Sequence, residues 1–207
     1  MSLKNFSTLF SNYMHQSHAM LKAEKENVYT FCSKIFFIIT LIMVVIFAAL
    51  IIFATPFFGF RYLIFYGGSF LVSILLVLGF YVSKYSNGRY ALPLMYAFAL
   101  YLYAFTILVS LQQNGEHSHA AAAFICLQII FPLLIFDNPL RLNIFLVTVY
   151  VLHSILSYKF KDFSDFLLDV FNGAAFTVVG IIIGDYERFV RLRGFATDRI
   201  LIHQKDT

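Results

Sequence analysis

The sequence predicts an all-α polytopic membrane protein: a bundle of six transmembrane helices, preceded by an N-terminal amphipathic helix and followed by a C-terminal cytoplasmic helix. Three observations predict it. Of 207 residues, 60% are hydrophobic and only 13% charged, with mean hydropathy +0.80, whereas soluble domains carry roughly 25% charged residues. The apolar residues come in runs of about 18 or more, long enough to cross a hydrocarbon core as a helix. Between the runs stand short clusters of turn-forming residues.

Residues 1–31 are polar, with Leu3, Phe6, Phe10, Tyr13 and Met20 at three- and four-residue steps. That spacing predicts an amphipathic helix lying on the membrane surface. The polar lead before Ile35 is too long for a signal peptide, so no cleavage is expected. Spans are placed at 33–55, 61–82, 91–111, 119–136, 140–157 and 166–187. Thr55-Pro56-Phe57-Phe58-Gly59 closes the first pair, Ser86-Asn87-Gly88 the second, and Asp137-Asn138-Pro139 separates spans four and five. Short loops make consecutive helices antiparallel neighbours. Residues 188–207 are charged and helical in pattern, and continue span six into the cytoplasm. Cys32 beside span one and Cys126 inside span four lie at different depths, so no disulfide is expected.

Lysine and arginine counts orient the bundle. With the amino terminus inside, twelve fall on the inner side, and only Arg61, Lys159 and Lys161 on the outer side. Both termini are then cytoplasmic. The basic balance matches anionic lipid, and no aromatic-interleaved basic patch points to nucleic acid.

Polar residues inside a membrane are costly and point to function. Arg61, Tyr66, Gln112, Gln113, His153, Asp169 and Asn172 fall in the outer half, and Gln128 near the midplane of span four. Two readings stay open. Arg61, Tyr66, Gln128, His153, Asp169 and Asn172 line an outward-facing ligand pocket, or they satisfy one another, Arg61 with Asp169 and His153 with a neighbouring carbonyl. Glu116-His117-Ser118-His119 offers two imidazoles and a carboxylate to zinc or copper, with Asp162 or Asp165 adding a ligand. A solvated loop is the simpler account, so His117 and His119 are weak metal candidates and no metal or cofactor is expected. Gly173, Thr177, Gly180 and Gly184 share one face of span six, where small residues permit close approach. That face suits either a homodimer seam or packing within one bundle. No phosphate-binding glycine loop, nucleophile elbow or HExxH is present, so this chain by itself is not expected to be an enzyme.

The chain ends Asp169-Val170-Phe171-Asn172-Gly173, Gly180-Ile181-Ile182-Ile183-Gly184, Arg188, Arg191, Phe195, Arg199, Leu201, Lys205-Asp206-Thr207. This resembles the last span and signalling helix of bacterial multi-span sensors that precede a GGDEF (diguanylate cyclase) domain. Asp206 stands where such a domain's opening aspartate would, with Thr207 in the variable position after it. The tail is also similar to those feeding class III nucleotide cyclases and histidine kinases, and spans one to five resemble no family. The resemblance implies a sensor module in a bacterial inner membrane, homodimeric through span six. It would bind an unknown small molecule from the outside or within the membrane and regulate a following domain that condenses GTP into cyclic di-GMP. The aromatic richness, 26 Phe and 13 Tyr, hints that the ligand is apolar. The competing class is a small-molecule transporter or channel. Pro56, Pro93 and Pro139 near span ends, with only Pro132 inside one, disfavour it.

Overall fold

A computed structural model describes residues 25–58, 60–111 and 121–205, with side chains described outside 54–62 and 195–205. Among the described residues all regular structure is helical: α1 Lys25–Phe58, α2 Phe60–Tyr85, α3 Ala91–Leu111, α4 Ala122–Leu134, α5 Pro139–Phe160 and α6 Phe163–Lys205. Five contain stretches long and apolar enough to cross a membrane: Lys25–Phe53, Leu63–Tyr85, Ala91–Leu111, Pro139–Phe160 and Phe163–Gly194. Large apolar side chains such as Val45, Leu75, Leu152, Phe171 and Ile182 are exposed, as hydrocarbon solvent requires.

The described residues divide into two compact units, one within 26–98 and the other from 99 onward. In the first, Ser33 and Ser83 hydroxyls meet at 2.8 Å across α1 and α2. Phe36 stacks on Phe80 at 5.3 Å and meets Phe98 edge-on at 5.5 Å, all three buried. The expected turn at Ser86-Asn87-Gly88 is present, with φ of 52° at Asn87 and 72° at Gly88. A side chain at Gly88 would also come 2.6 Å from the Tyr29 backbone, so the site needs glycine twice over. Two boundaries differ from expectation. α1 starts at Lys25 and runs unbroken through the expected interfacial boundary at residue 31, with Val28, Tyr29 and Cys32 buried. At its other end α1 continues through Pro56 to Phe58, because in lipid a helix is the cheapest way to satisfy the backbone. The amphipathic helix expected before residue 25 lies outside the described residues.

In the second unit α5 and α6 run antiparallel. The Tyr150 hydroxyl donates to the Val170 carbonyl at 3.1 Å, Ser157 meets Asp169, and the Asn143 amide donates to Asp185 at 3.1 Å. α4 lies along α6 in the same direction, with Ala121 beside Asp169, Gln128 beside Gly180 and Pro132 beside Gly184. The expected fourth span, 119–136, contains a helix of only 13 residues. The helix ends at Leu134; the Ile135 amide makes the last bond, to the Phe131 carbonyl at 3.0 Å, and Ile135 itself is extended, φ −90° and ψ 122°. Asn138 then caps α5 by accepting from the Leu140 amide at 2.9 Å, with Pro139 in the first turn. Tyr103 of α3 lies against Phe124, Phe131 and Phe145 at 5.2–5.9 Å. α6 is one helix of 43 residues, with no break at 187.

Candidate functional site

His153, Ser157 and Lys161 recur at four-residue steps: the first two share one face of α5, and Lys161 follows just past its C-terminal end. α5 stops at Phe160, and the extended Lys161 returns its amide to the Ser157 carbonyl at 2.9 Å. Lys161 can then reach back over the helix end to Asp169 of α6. Its Nζ lies 2.7 Å from Asp169 Oδ2, with Lys161 4% and Asp169 2% exposed. At that burial a lone charge would be costly, so each ion requires the other.

Asp169 is the hub. Its Oδ2 also accepts from Ser157 Oγ at 3.2 Å, and its Oδ1 from the Ala121 amide, at the N-cap position of α4, at 3.2 Å. Lys161 Nζ donates in turn to Ser110 Oγ of α3 at 2.8 Å. One carboxylate therefore joins α4, α5 and α6 directly, and α3 through Lys161. Ser157 has a single proton, and the carboxylate can only accept it. His153 Nε2, 3.4 Å from that hydroxyl, is left as the donor. His153 Nδ1 is buried without a partner, and the ring stacks on Phe124 at 4.0 Å and 12°. One turn along α4 from Phe124, Gln128 is fully buried and neither amide atom has a hydrogen-bond partner. Buried amides are normally paired, so this turn of α4 is unsaturated.

A second buried cluster lies further along α6. Arg188 Nη1 is 3.0 Å from Asp185 Oδ1, and Asn143 holds Asp185 Oδ2. Asp185 is sixteen residues beyond Asp169, about 24 Å along a helix. Arg188 Nε and Nη2 are buried and unpartnered.

No family model, curated protein or solved structure matches the chain.

Of the ligand-binding residues expected from sequence, the structure gathers His153 and Asp169 in one cluster, and places Gln128 one turn along α4 from Phe124, beside Gly180 of α6. Asn172 is exposed on α6. Tyr66 is half-buried on α2 next to Phe65, at 5.7 Å. The Arg61 side chain and residues Gln112, Gln113, Glu116, His117 and His119 lie outside what is described. Among the described residues the cation paired with Asp169 is Lys161, which the sequence places on the outer side; the alternative pairing with Arg61 lies outside what is described. His153 was expected to meet a carbonyl and meets a serine hydroxyl. Sequence reasoning missed Lys161, Ser157 and Ser110, although the His153-Ser157-Lys161 spacing was there to be read.

The glycine stripe also has an occupant. A side chain at Gly180 would collide with the Gln128 carbonyl, and one at Gly184 with Pro132. At Gly173 it would come 2.9 Å from the Tyr150 ring, and Thr177 folds its hydroxyl onto the Gly173 carbonyl at 2.6 Å. The face offered from sequence to a second copy is covered by α4 and α5 of the same chain, because small residues favour any close backbone neighbour, internal or external.

Proposed function

We propose that this chain is a membrane sensor module in which the Asp169 cluster receives a stimulus and α6 transmits it. The observation that carries this reading is the continuity of α6. One helix holds Asp169 in its second turn and Asp185–Arg188 further on, then runs to Lys205. At 43 residues it is about 65 Å long, twice the roughly 30 Å hydrocarbon thickness. A rigid rod with a buried ionic hub near one end and a basic segment projecting from the other turns rearrangement at the hub into rotation or translation of the projection.

We count α4 as a sixth crossing beside the five spanning-length helices. Its helical residues rise about 20 Å, and the chain passes from the level of Asp169 at Ala121 to the level of Arg191, which lies 5.9 Å over the Phe136 ring. The 22 residues of α6 between those levels span about 33 Å, close to one hydrocarbon thickness. With six crossings and the inner-side excess of lysine and arginine, both termini face the cytoplasm. By its resemblance to sensors that precede GGDEF domains, the module regulates a diguanylate cyclase, in a bacterial inner membrane. The stimulus is a ligand or proton that binds the cluster differently in two arrangements.

The test joins residues 1–207 to a diguanylate cyclase domain lacking its own sensor and measures cellular cyclic di-GMP. Asp169→Asn and Lys161→Met should shift output several-fold at equal membrane abundance, while Asn172→Ala should not. Unchanged output from both cluster variants overturns the reading. One observation favours a second reading, transport: α4 is a short helix running into extended chain, with the unpartnered Gln128 beside it, as in the broken helices of transporters. Solute flux into proteoliposomes that Asp169→Asn abolishes would select it.

A further inference from the structure

We infer that the inner end of α6 has two seatings and that Arg188 is the latch between them. In one it pairs with Asp185, as seen here, and in the other it turns its free edge to Asp137. The latch deepens the reading of α6 as a transmitting rod, and rests on that reading only for what it controls.

The Arg188 side chain is 1% exposed, and its Nη1 lies 3.0 Å from Asp185 Oδ1. In a guanidinium, Nε–H and one Nη2–H point the same way, and that edge can grip both oxygens of one carboxylate. Here the whole edge is buried without a partner. Neither nitrogen is open to water, so in this seating no solvent molecule or soluble anion serves them. A buried cation with two unused donors costs free energy that an arrangement pairing them recovers.

A carboxylate for that edge stands on the neighbouring segment. Pro132 packs at Gly184, and the Phe136 ring lies 5.9 Å from the Arg191 guanidinium. The chain after α4 therefore runs alongside the turn of α6 that carries Arg188. Asp137 comes next and is 3% exposed. Its pair with Arg141 is 3.4 Å long and goes to a side chain 62% exposed, which water can replace at small cost. Asp185 keeps a donor when Arg188 leaves it, because the Asn143 amide donates to its Oδ2 at 3.1 Å. Two carboxylates competing for one guanidinium make a bistable element, and a modest free energy from the Asp169 end can bias it.

The full chain, isotopically labelled at its arginine nitrogens and held in bicelles, reports the pairing through the Arg188 Nε–H resonance, identified by its loss in Arg188→Lys. The wild-type signal should split, or average, between two positions: the one kept by Asp137→Leu and the one kept by Asp185→Leu. Arg141→Gln removes a mostly exposed side chain, so the fold survives, and it should raise the Asp137-paired share by up to about fivefold. A signal that neither Asp137→Leu nor Arg141→Gln moves overturns the latch. In the cyclase fusion, Asp137→Leu and Asp185→Leu should move cyclic di-GMP in opposite directions. Two signal positions beside an output that ignores both variants would keep the latch and overturn the sensor reading instead.

Discussion

Removing either partner of the Lys161–Asp169 pair should destabilise the fold far more than removing both. The two atoms are 2.7 Å apart at exposures of 4% and 2%, so neither charge has water to fall back on. Asp169→Leu strands the Lys161 ammonium and breaks the bonds from Ser157 and Ala121. Stranding one member of a buried pair costs about 3–5 kcal/mol. The two neutral-donor bonds add little, since hydrogen bonds inside membranes average about 0.6 kcal/mol. Lys161→Met leaves Asp169 with the Ser157 and Ala121 donors and should cost somewhat less, about 3 kcal/mol. The double variant strands no ion, and a buried pair replaced by apolar residues is often close to neutral. The coupling energy should therefore exceed about 2 kcal/mol in the compensating direction. Reversible unfolding in bicelles, followed by circular dichroism across an SDS titration, measures all four corners of the cycle. Single-variant costs that add within about 0.5 kcal/mol would refute the pair as a mutually dependent buried unit.

Two further outcomes follow from the same packing. Gly180→Leu should destabilise the protein by about 1–3 kcal/mol or more by driving a side chain into the Gln128 carbonyl, whereas Gly67→Ala, with open space around it, should be near neutral in the same titration. Gln128→Leu replaces a buried amide that has no partner with an apolar isostere. It should be neutral or stabilising by about 1 kcal/mol, and a loss above that would mean the amide is satisfied by bound water or ligand.

Most of the helices were legible because a bilayer demands long uncharged runs, and the turns because Asn87-Gly88 and Asn138-Pro139 are local signals. The extension of span six beyond residue 187 was legible for the same reason, as no glycine or proline pair interrupts 185–192. The length of α4 was not. An apolar run reads the same whether its last residues are helical or extended, and Ile135 and Phe136 are as hydrophobic as the helix before them. In and beside the cluster, His153, Asp169 and Gln128 stood out because polarity inside an apolar run is visible. Lys161 did not, because a lysine between two spans looks solvated until the tertiary fold supplies a carboxylate. The glycine stripe shows a further limit: periodicity tells which side of α6 is narrow, but not which helix moves in.

The contact between Gly180 and Gln128 has a consequence for how the chain can vary. Residue 132 is a proline, so it lacks the amide hydrogen that would bond the Gln128 carbonyl four residues earlier. That oxygen therefore lacks its usual helical donor, and it is the oxygen against which Gly180 presents hydrogen instead of carbon. One turn on, the proline ring itself fills the space left by Gly184. The imino acid and the two glycines make a tongue-and-groove joint whose halves lie about fifty residues apart. Any residue larger than glycine at 180 or 184 shuts the groove, and any residue other than proline at 132 reshapes the tongue. Drift at one of the three positions is thus confined by the other two, and α4 rides on α6 as a single piece, so a torque applied to α6 is felt where Phe124 of α4 stacks on His153 of α5.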